Sequence, residues 1–159
     1  MPAREGSFEV SSRLAAPAAD VWAFATTAEG INAELMPIVR MTVPRGLGDD
    51  FGLADVTAPR RLGRSWLLLG GVLPFDWDDI GIEAIGPGLS FRERSTMLSQ
   101  RRWDHDRSVE PLGEHACVVT DRIRFVPRLP AIAPLLRPVF LLTFRHRHRR
   151  LRRRFGESR

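Results

Sequence analysis

Three short segments carry charged side chains in alternation with apolar ones, and their types and spacing could do chemistry. In Arg102 to Glu110 one face reads Trp103, His105, Arg107 and Val109. The other reads Arg102, Asp104, Asp106, Ser108 and Glu110, a solvent face. In Cys117 to Val126 one face carries Cys117, Val119, Asp121, Ile123 and Phe125, opposed by Arg122 and Arg124. In Phe91 to Met97 the inward set is Phe91, Glu93, Ser95 and Met97, opposed by Arg92 and Arg94. Glu93, His105, Arg107 and Asp121 are therefore expected on one apolar surface. An arginine between two carboxylates there can make charge-assisted hydrogen bonds to both.

Turn lengths suggest the pairing. A tight connection over Leu98 to Arg102 sets Met97 against Trp103 and Glu93 against Arg107. A three-residue loop, Gly113 to His115, sets Leu112 against Ala116 and Arg107 against Asp121. The expected row is Glu93, Arg107, Asp121, with His105 one step along. A slip of two residues keeps the faces but exchanges partners, for instance bringing Asp121 to His105.

Such a row has three readings. It is a neutralised ion network whose desolvation cancels its attraction, or the polar end of a pocket that orients a carboxyl, carbonyl or hydroxyl group. The third reading is acid–base work by His105 with Asp121, a triad for which the sequence places no nucleophile. The candidate ligand-binding set is Glu93, His105, Arg107 and Asp121, with Phe91, Trp103, Val119, Ile123, Phe140 and Phe144 as apolar walls. His148, on the apolar stripe of the last helix, reads as an interface residue or a ligand contact. Trp22, Trp66 and Trp77 read as core or cavity wall, and Cys117 as a small buried hydrophobe.

Composition removes several chemistries. All 24 basic residues are arginine, so lysine Schiff bases and lysine-held pyridoxal are excluded, and no tyrosine supplies a phenol. One cysteine excludes an internal disulfide. His146 and His148, two apart on a helix, face away from each other. No metal and no cofactor are expected.

The elements that must position the row follow from punctuation and period. Phe8 to Leu14 alternates as a strand, and Pro17 opens a helix over Ala18 to Thr26. Gly30 is expected to break it, and Ile31 to Met36 to form a second helix stopped by Pro37. Strand signals follow at Val39 to Val43, at Ser65 to Gly70, around Ile80, Ile82 and Ala84, and through the meander above. A final helix from about Pro134 to Phe155 carries Phe140, Leu141, Phe144, His148, Leu151 and Phe155 as one stripe, with Arg145, Arg149, Arg152 and Arg153 opposite. Helices segregated on one face of an antiparallel sheet make an α+β architecture.

The stretch Phe8 to Trp22, with Val10, Ser12, Ala16, Pro17, Ala18 and Val21, resembles the opening of START-like (SRPBCC, polyketide cyclase/dehydrase-type) domains. The segments Trp103 to Arg107, Val119 to Arg122 and Phe144 to Leu151 resemble an uncharacterised bacterial subset of that superfamily. The resemblance implies a helix-grip fold, with a seven-stranded antiparallel sheet wrapped around a long C-terminal helix, two short helices after the first strand, and a cavity between. Its members include lipid carriers, hormone receptors and aromatic cyclases, and no shared catalytic motif carries over.

At 159 residues the chain fits one domain over 1–159. Met1 to Phe8 has no apolar stretch of a secretory signal, and the longest apolar runs are too short to span a bilayer, so a cytoplasmic location is expected. From Arg145 onward eight arginines face one acid, Glu157, a balance of +7 within a net charge of +5. The remainder is acidic, which counts against nucleic acid as a partner. An anionic membrane surface is the weaker alternative for that helix end.

The expected function is binding of a hydrophobic or amphipathic small molecule in the cavity. The rivals are a cyclase- or dehydratase-type enzyme with His105 as base, and an interaction protein using the arginine-rich helix on anionic lipid or RNA. Oligomeric state is left open.

Overall fold

Every strand finds an antiparallel partner. A computed structural model describes residues 4–159, so the first residues of the Met1 to Phe8 stretch lie outside the described residues. The elements are β1 (Gly6–Leu14), α1 (Ala18–Ala25), α2 (Ala28–Leu35), β2 (Val39–Met41), β3 (Arg60–Leu69), β4 (Leu73–Ile85), β5 (Ser90–Met97), β6 (Gln100–Pro111), β7 (Cys117–Pro127) and α3 (Ala133–Phe155). The strands form one sheet in the order β1-β7-β6-β5-β4-β3-β2, curled around α3. Among the described residues no helix is long and apolar enough to cross a membrane.

Two of the expected details are corrected. Gly30 does not break a helix but lies inside α2, which begins two residues earlier. The break falls at Thr26–Thr27, where Thr27 caps α2 by accepting from the Gly30 amide at 3.0 Å. Glycine is needed for space, because a Cβ at Gly30 would lie 1.8 Å from the Phe24 carbonyl oxygen. Gly30→Ala is expected to cost about 1–3 kcal/mol, as overpacking does, read as a fall in the urea midpoint. An unchanged midpoint would show that the α1–α2 junction yields freely. The second helix ends at Leu35, since Met36, preceding Pro37, is extended.

The register of β5 on β6 is the second correction. Glu93 faces His105, Phe91 faces Arg107 and Ser95 faces Trp103, a slip of two residues from the expected pairing. The cause is a tighter turn: only Leu98 and Ser99 separate the strands, and β6 already starts at Gln100. The β6–β7 pairing has Arg107 opposite Asp121, as the loop length implied.

Apolar packing comes in layers. Leu14, Val21, Val109, Val119 and Leu151 join the ends of β1, α1, β6, β7 and α3 in one cluster. Phe8, Trp103, Ile123, Phe125 and Phe144 form another, lower on the same elements. Between them β1, β6, β7 and α3 contribute Ser12, His105 and Arg107, Asp121, and His148, all buried. The polar residues thus form a slab between two apolar layers.

The outer face differs from expectation at three positions. Asp104 is buried, although its strand face is the solvent one, because Arg102, Arg94 and Arg124 converge on it. Trp66 is exposed on that face, opposite Trp77, over whose ring the Arg64 guanidinium sits at 4.0 Å. Neither tryptophan belongs to the core, whereas Trp22 packs against it.

Candidate ligand-binding site

The inward face of the sheet, α2 and α3 enclose a cavity of about 320 Å³. That is at the lower end of the range for small-molecule sites, about 300–1,000 Å³. Leu35, Leu62, Leu67, Ile80, Ile82 and Met97 supply apolar wall. Ile38, Leu69, Phe75 and Val139 both line the cavity and are exposed, so they mark its mouth.

Of the expected set, Phe91, Glu93, Trp103, His105, Arg107, Phe140 and Phe144 line the cavity. Val119, Asp121, Ile123 and His148 do not. Val119 and Ile123 belong to the two apolar layers, and Asp121 and His148 lie behind the wall, completely buried. Asp121 is the hub there. It accepts from Arg107 Nε and Nη2, both at 2.7 Å, from His105 Nε2 at 2.6 Å and from His148 Nε2 at 2.8 Å. His148 Nδ1 is paired with Ser12 Oγ at 2.8 Å, and Ser12 also accepts from Arg152.

Four participants escaped the sequence reading: Glu34, Arg147, Asp76 and Asp78. Glu34 of α2 takes both Arg107 terminal nitrogens, at 2.7 and 2.9 Å, and also accepts from Arg147 Nε at 2.9 Å. Arg107 is therefore clamped between two carboxylates. Arg147 is legible in hindsight: it lies three residues after Phe144 and four before Leu151, on the same stripe. Asp76 and Asp78 precede Ile80 and Ile82 at even spacing, so the period-two alternation already placed them inward. Glu34 gives no such signal, because a buried charge on a short helix is chosen by its tertiary partner.

Burial opposes every charge here, and the partners decide the outcome. Burial alone would raise Asp121, but Arg107 and His105 hold its carboxyl well below the usual range. The Arg107 and Arg147 guanidiniums likewise hold Glu34 below its ordinary value despite its burial. Burial would lower His105, yet Asp121 and then Glu93 hold the imidazole above its ordinary value. Its Nδ1 lies 3.5 Å from Glu93 Oε2, and Phe91 and Phe144 stand edge-on to the ring at 5.2 and 5.1 Å. A carboxylate therefore stands at each ring nitrogen of His105. Asp78 behaves oppositely: burial and the adjacent Glu93 push its carboxyl well above the usual range.

The C-terminal arginines are partly used within the fold. Arg150 donates to the Ala33 carbonyl, Arg152 to Ser12, and Arg154 stacks over Phe24 at 3.7 Å. Arg145, Arg149 and Arg153 remain exposed.

A curled seven-stranded antiparallel sheet gripping a C-terminal helix, with two short helices after the first strand, is the START-like (SRPBCC) fold. Residues 12–155 match the family described as Domain of unknown function (DUF8410), and the chain belongs to that family. Solved structures of the same fold include a START superfamily protein from Mycobacterium smegmatis, at 12% identity, TM-score 0.66, and coverage of 94% of this chain and 96% of that one. Protein CV1439 from Chromobacterium violaceum is 14% identical with a TM-score of 0.71, covering 96% of this chain and 99% of that one. The Zhui aromatase/cyclase from Streptomyces sp. R1128 is 14% identical with a TM-score of 0.66, covering 93% and 92%. No curated protein matches the sequence.

Proposed function

We propose that the protein binds one hydrophobic or amphipathic small molecule in the cavity between the sheet and α3. The observation that carries this reading is the cavity of about 320 Å³, mostly apolar in its lining, with Asp76, Asp78, Glu93, His105, Arg107 and Arg147 among it. A mostly apolar pocket with a few convergent polar groups is the expected form of a site that orients an amphipathic guest. The START-like fold, which includes an aromatase/cyclase, supports a pocket between sheet and helix as the working part of the molecule. The reading takes residues 1–159 as one domain acting in the cytoplasm, with no cofactor. In the cyclase- or dehydratase-type alternative, His105, held between Asp121 and Glu93, is the candidate base. The anionic-lipid or RNA alternative rests on the exposed Arg145, Arg149 and Arg153.

Native mass spectrometry of the purified protein, followed by thermal-shift screening of fatty acids, isoprenoids, sterols and aromatic compounds, tests the proposal. A retained apolar molecule or a ligand-dependent rise in Tm is expected. Val139→Trp, at the exposed mouth, should weaken that binding about tenfold or more while leaving the unliganded Tm within about 2 °C, since a surface position carries little stability. No retained molecule and no shift across the panel would overturn the reading.

A further inference from the structure

The charged lining of the cavity is not symmetric in sign. Where α2 and α3 pack against β6, Arg107 is fully taken and Arg147 in part. Arg107 Nε, Nη1 and Nη2 each donate to Asp121 or Glu34, and Arg147 Nε donates to Glu34. An incoming carboxylate or phosphate would have to displace one of these buried carboxylates to reach Arg107. On the opposite wall three acids, Asp76, Asp78 and Glu93, line the cavity from β4 and β5. Among the described residues, no arginine or histidine comes within salt-bridge distance of Asp76 or Asp78, and the neighbour of Glu93 is His105.

These acids differ in how far they are satisfied. Asp76 accepts from the Trp77 and Ser99 amides and from the Ser99 hydroxyl. Glu93 accepts from Ser95 Oγ at 2.8 Å and faces His105. Asp78 is 5% exposed, and its Oδ1 is buried with no hydrogen-bond partner. A buried acceptor left without a donor costs about 1–3 kcal/mol, so native proteins seldom keep one without a use. Ser65, its cross-strand neighbour on β3, spends its hydroxyl on the Thr42 carbonyl. Among the described residues no donor reaches Oδ1 itself, and Ser95 and Glu93 are the polar side chains that act on the carboxyl.

We infer that the Asp76, Asp78 and Glu93 wall receives a protonated amine carried on an apolar body, with the ammonium donating to Asp78. This rests on the ligand-binding reading above and narrows it to a class of ligand. An ammonium supplies both what Asp78 lacks and what the wall lacks, a hydrogen-bond donor and a positive charge. No group of three or more His, Cys, Asp or Glu among the described residues is placed to hold a metal ion, so an organic cation is the one that fits. The apolar remainder of the ligand would lie along Leu67, Met97, Trp103 and Phe140 toward the mouth.

Burial and the Glu93 charge push the Asp78 carboxyl well above the usual range in the empty site. The groups that face it are Asp76 on its own strand, Glu93 and Ser95 on β5, and Ser65 on β3. An ammonium entering beside it favours the carboxylate, so whatever proton Asp78 holds is released to the buffer as the amine binds. Amine binding therefore releases up to one proton per site, while binding of an uncharged analogue releases none.

Octylamine, octanol and octanoate share one chain and differ only in the head, and calorimetric titration at pH 7 compares them directly. Octylamine is expected to bind about tenfold or more tighter than the other two, the scale of a charge-assisted hydrogen bond. Repeating the titration in buffers of different ionisation heat should show proton release with octylamine alone. In Asp78→Asn, whose melting curve checks the fold, the amine advantage should shrink to about twofold or less while octanol binding persists. Tightest binding of octanoate, or equal binding of all three, would overturn the amine inference and leave the ligand cavity standing. Binding of none, with no molecule retained on purification, would remove both.

Discussion

Asp121→Ala is expected to destabilise the protein by about 3–5 kcal/mol, the range for breaking a buried charge network from one side. Asp121 is fully buried and accepts from Arg107, His105 and His148 together. Its removal strands the Arg107 guanidinium with Glu34 as its remaining partner, in a layer closed above and below by packed Leu, Val and Phe side chains. Urea denaturation monitored by tryptophan fluorescence measures the loss. A cost below about 1 kcal/mol would mean that water reaches the slab and that these ions behave as surface pairs do. Arg107→Ala is a poor probe of ligand binding for the same reason, because its fold-wide cost would mask any effect in the cavity.

The same network fixes how stability responds to pH. Asp121 and Glu34 are held below their ordinary values, so their contribution is present above the unfolded carboxylate range and fades as pH falls toward the lowered folded values. His105 is held above its ordinary value, so its contribution is complete below about pH 6.5 and is lost as pH rises through the folded value. The stability maximum is therefore expected on the acid side of neutrality, at about pH 5–6. A maximum above pH 7.5 would contradict an imidazole that Asp121 and Glu93 hold above its ordinary value.

The sequence revealed faces more reliably than neighbours. Period-two alternation put Glu93, His105, Arg107 and Asp121 on one surface, because a strand's side chains have only two directions to point. The β6–β7 pairing followed from a three-residue loop, whereas the β5–β6 pairing slipped by two because the turn at Leu98–Ser99 is shorter than composition suggests. Such a slip leaves the hydrophobic pattern unchanged, so the pattern cannot detect it. The helix stripe was visible, yet Arg147 looked like one more surface arginine until Glu34 stood opposite it. Asp104 was hidden in the reverse sense, since three arginines arriving from β5, β6 and β7 cover it on a face that alternation assigns to water. Glu34 and Asp78 are the instructive omissions. The first is explained by a partner 73 residues away, and the second keeps one buried oxygen, Oδ1, without a partner among the described residues.

Asp78→Asn is expected to stabilise the unliganded protein, an uncommon sign for a buried substitution. The carboxyl of Asp78 ionises in the unfolded chain near pH 4 but resists ionisation in the fold, where burial and Glu93 oppose it. Folding above that pH must therefore take up a proton, and the cost grows with pH until the raised folded value is passed. An amide has the same shape, needs no proton, and can donate its N–H to Glu93. The variant should match the wild type near pH 4 and exceed it by about 1–3 kcal/mol at pH 7, the range for relieving a poorly satisfied buried group. Scanning calorimetry across that range would show the gain as a rise of about 2–4 °C in Tm for each kcal/mol. Equal destabilisation at both pH values would mean that Asp78 is an ordinary structural acid with a donor of its own. A gain that grows with pH, together with loss of amine preference, would tie the two observations to one carboxyl. The fold then tolerates an ill-satisfied acid in its wall because that acid is completed by the ligand.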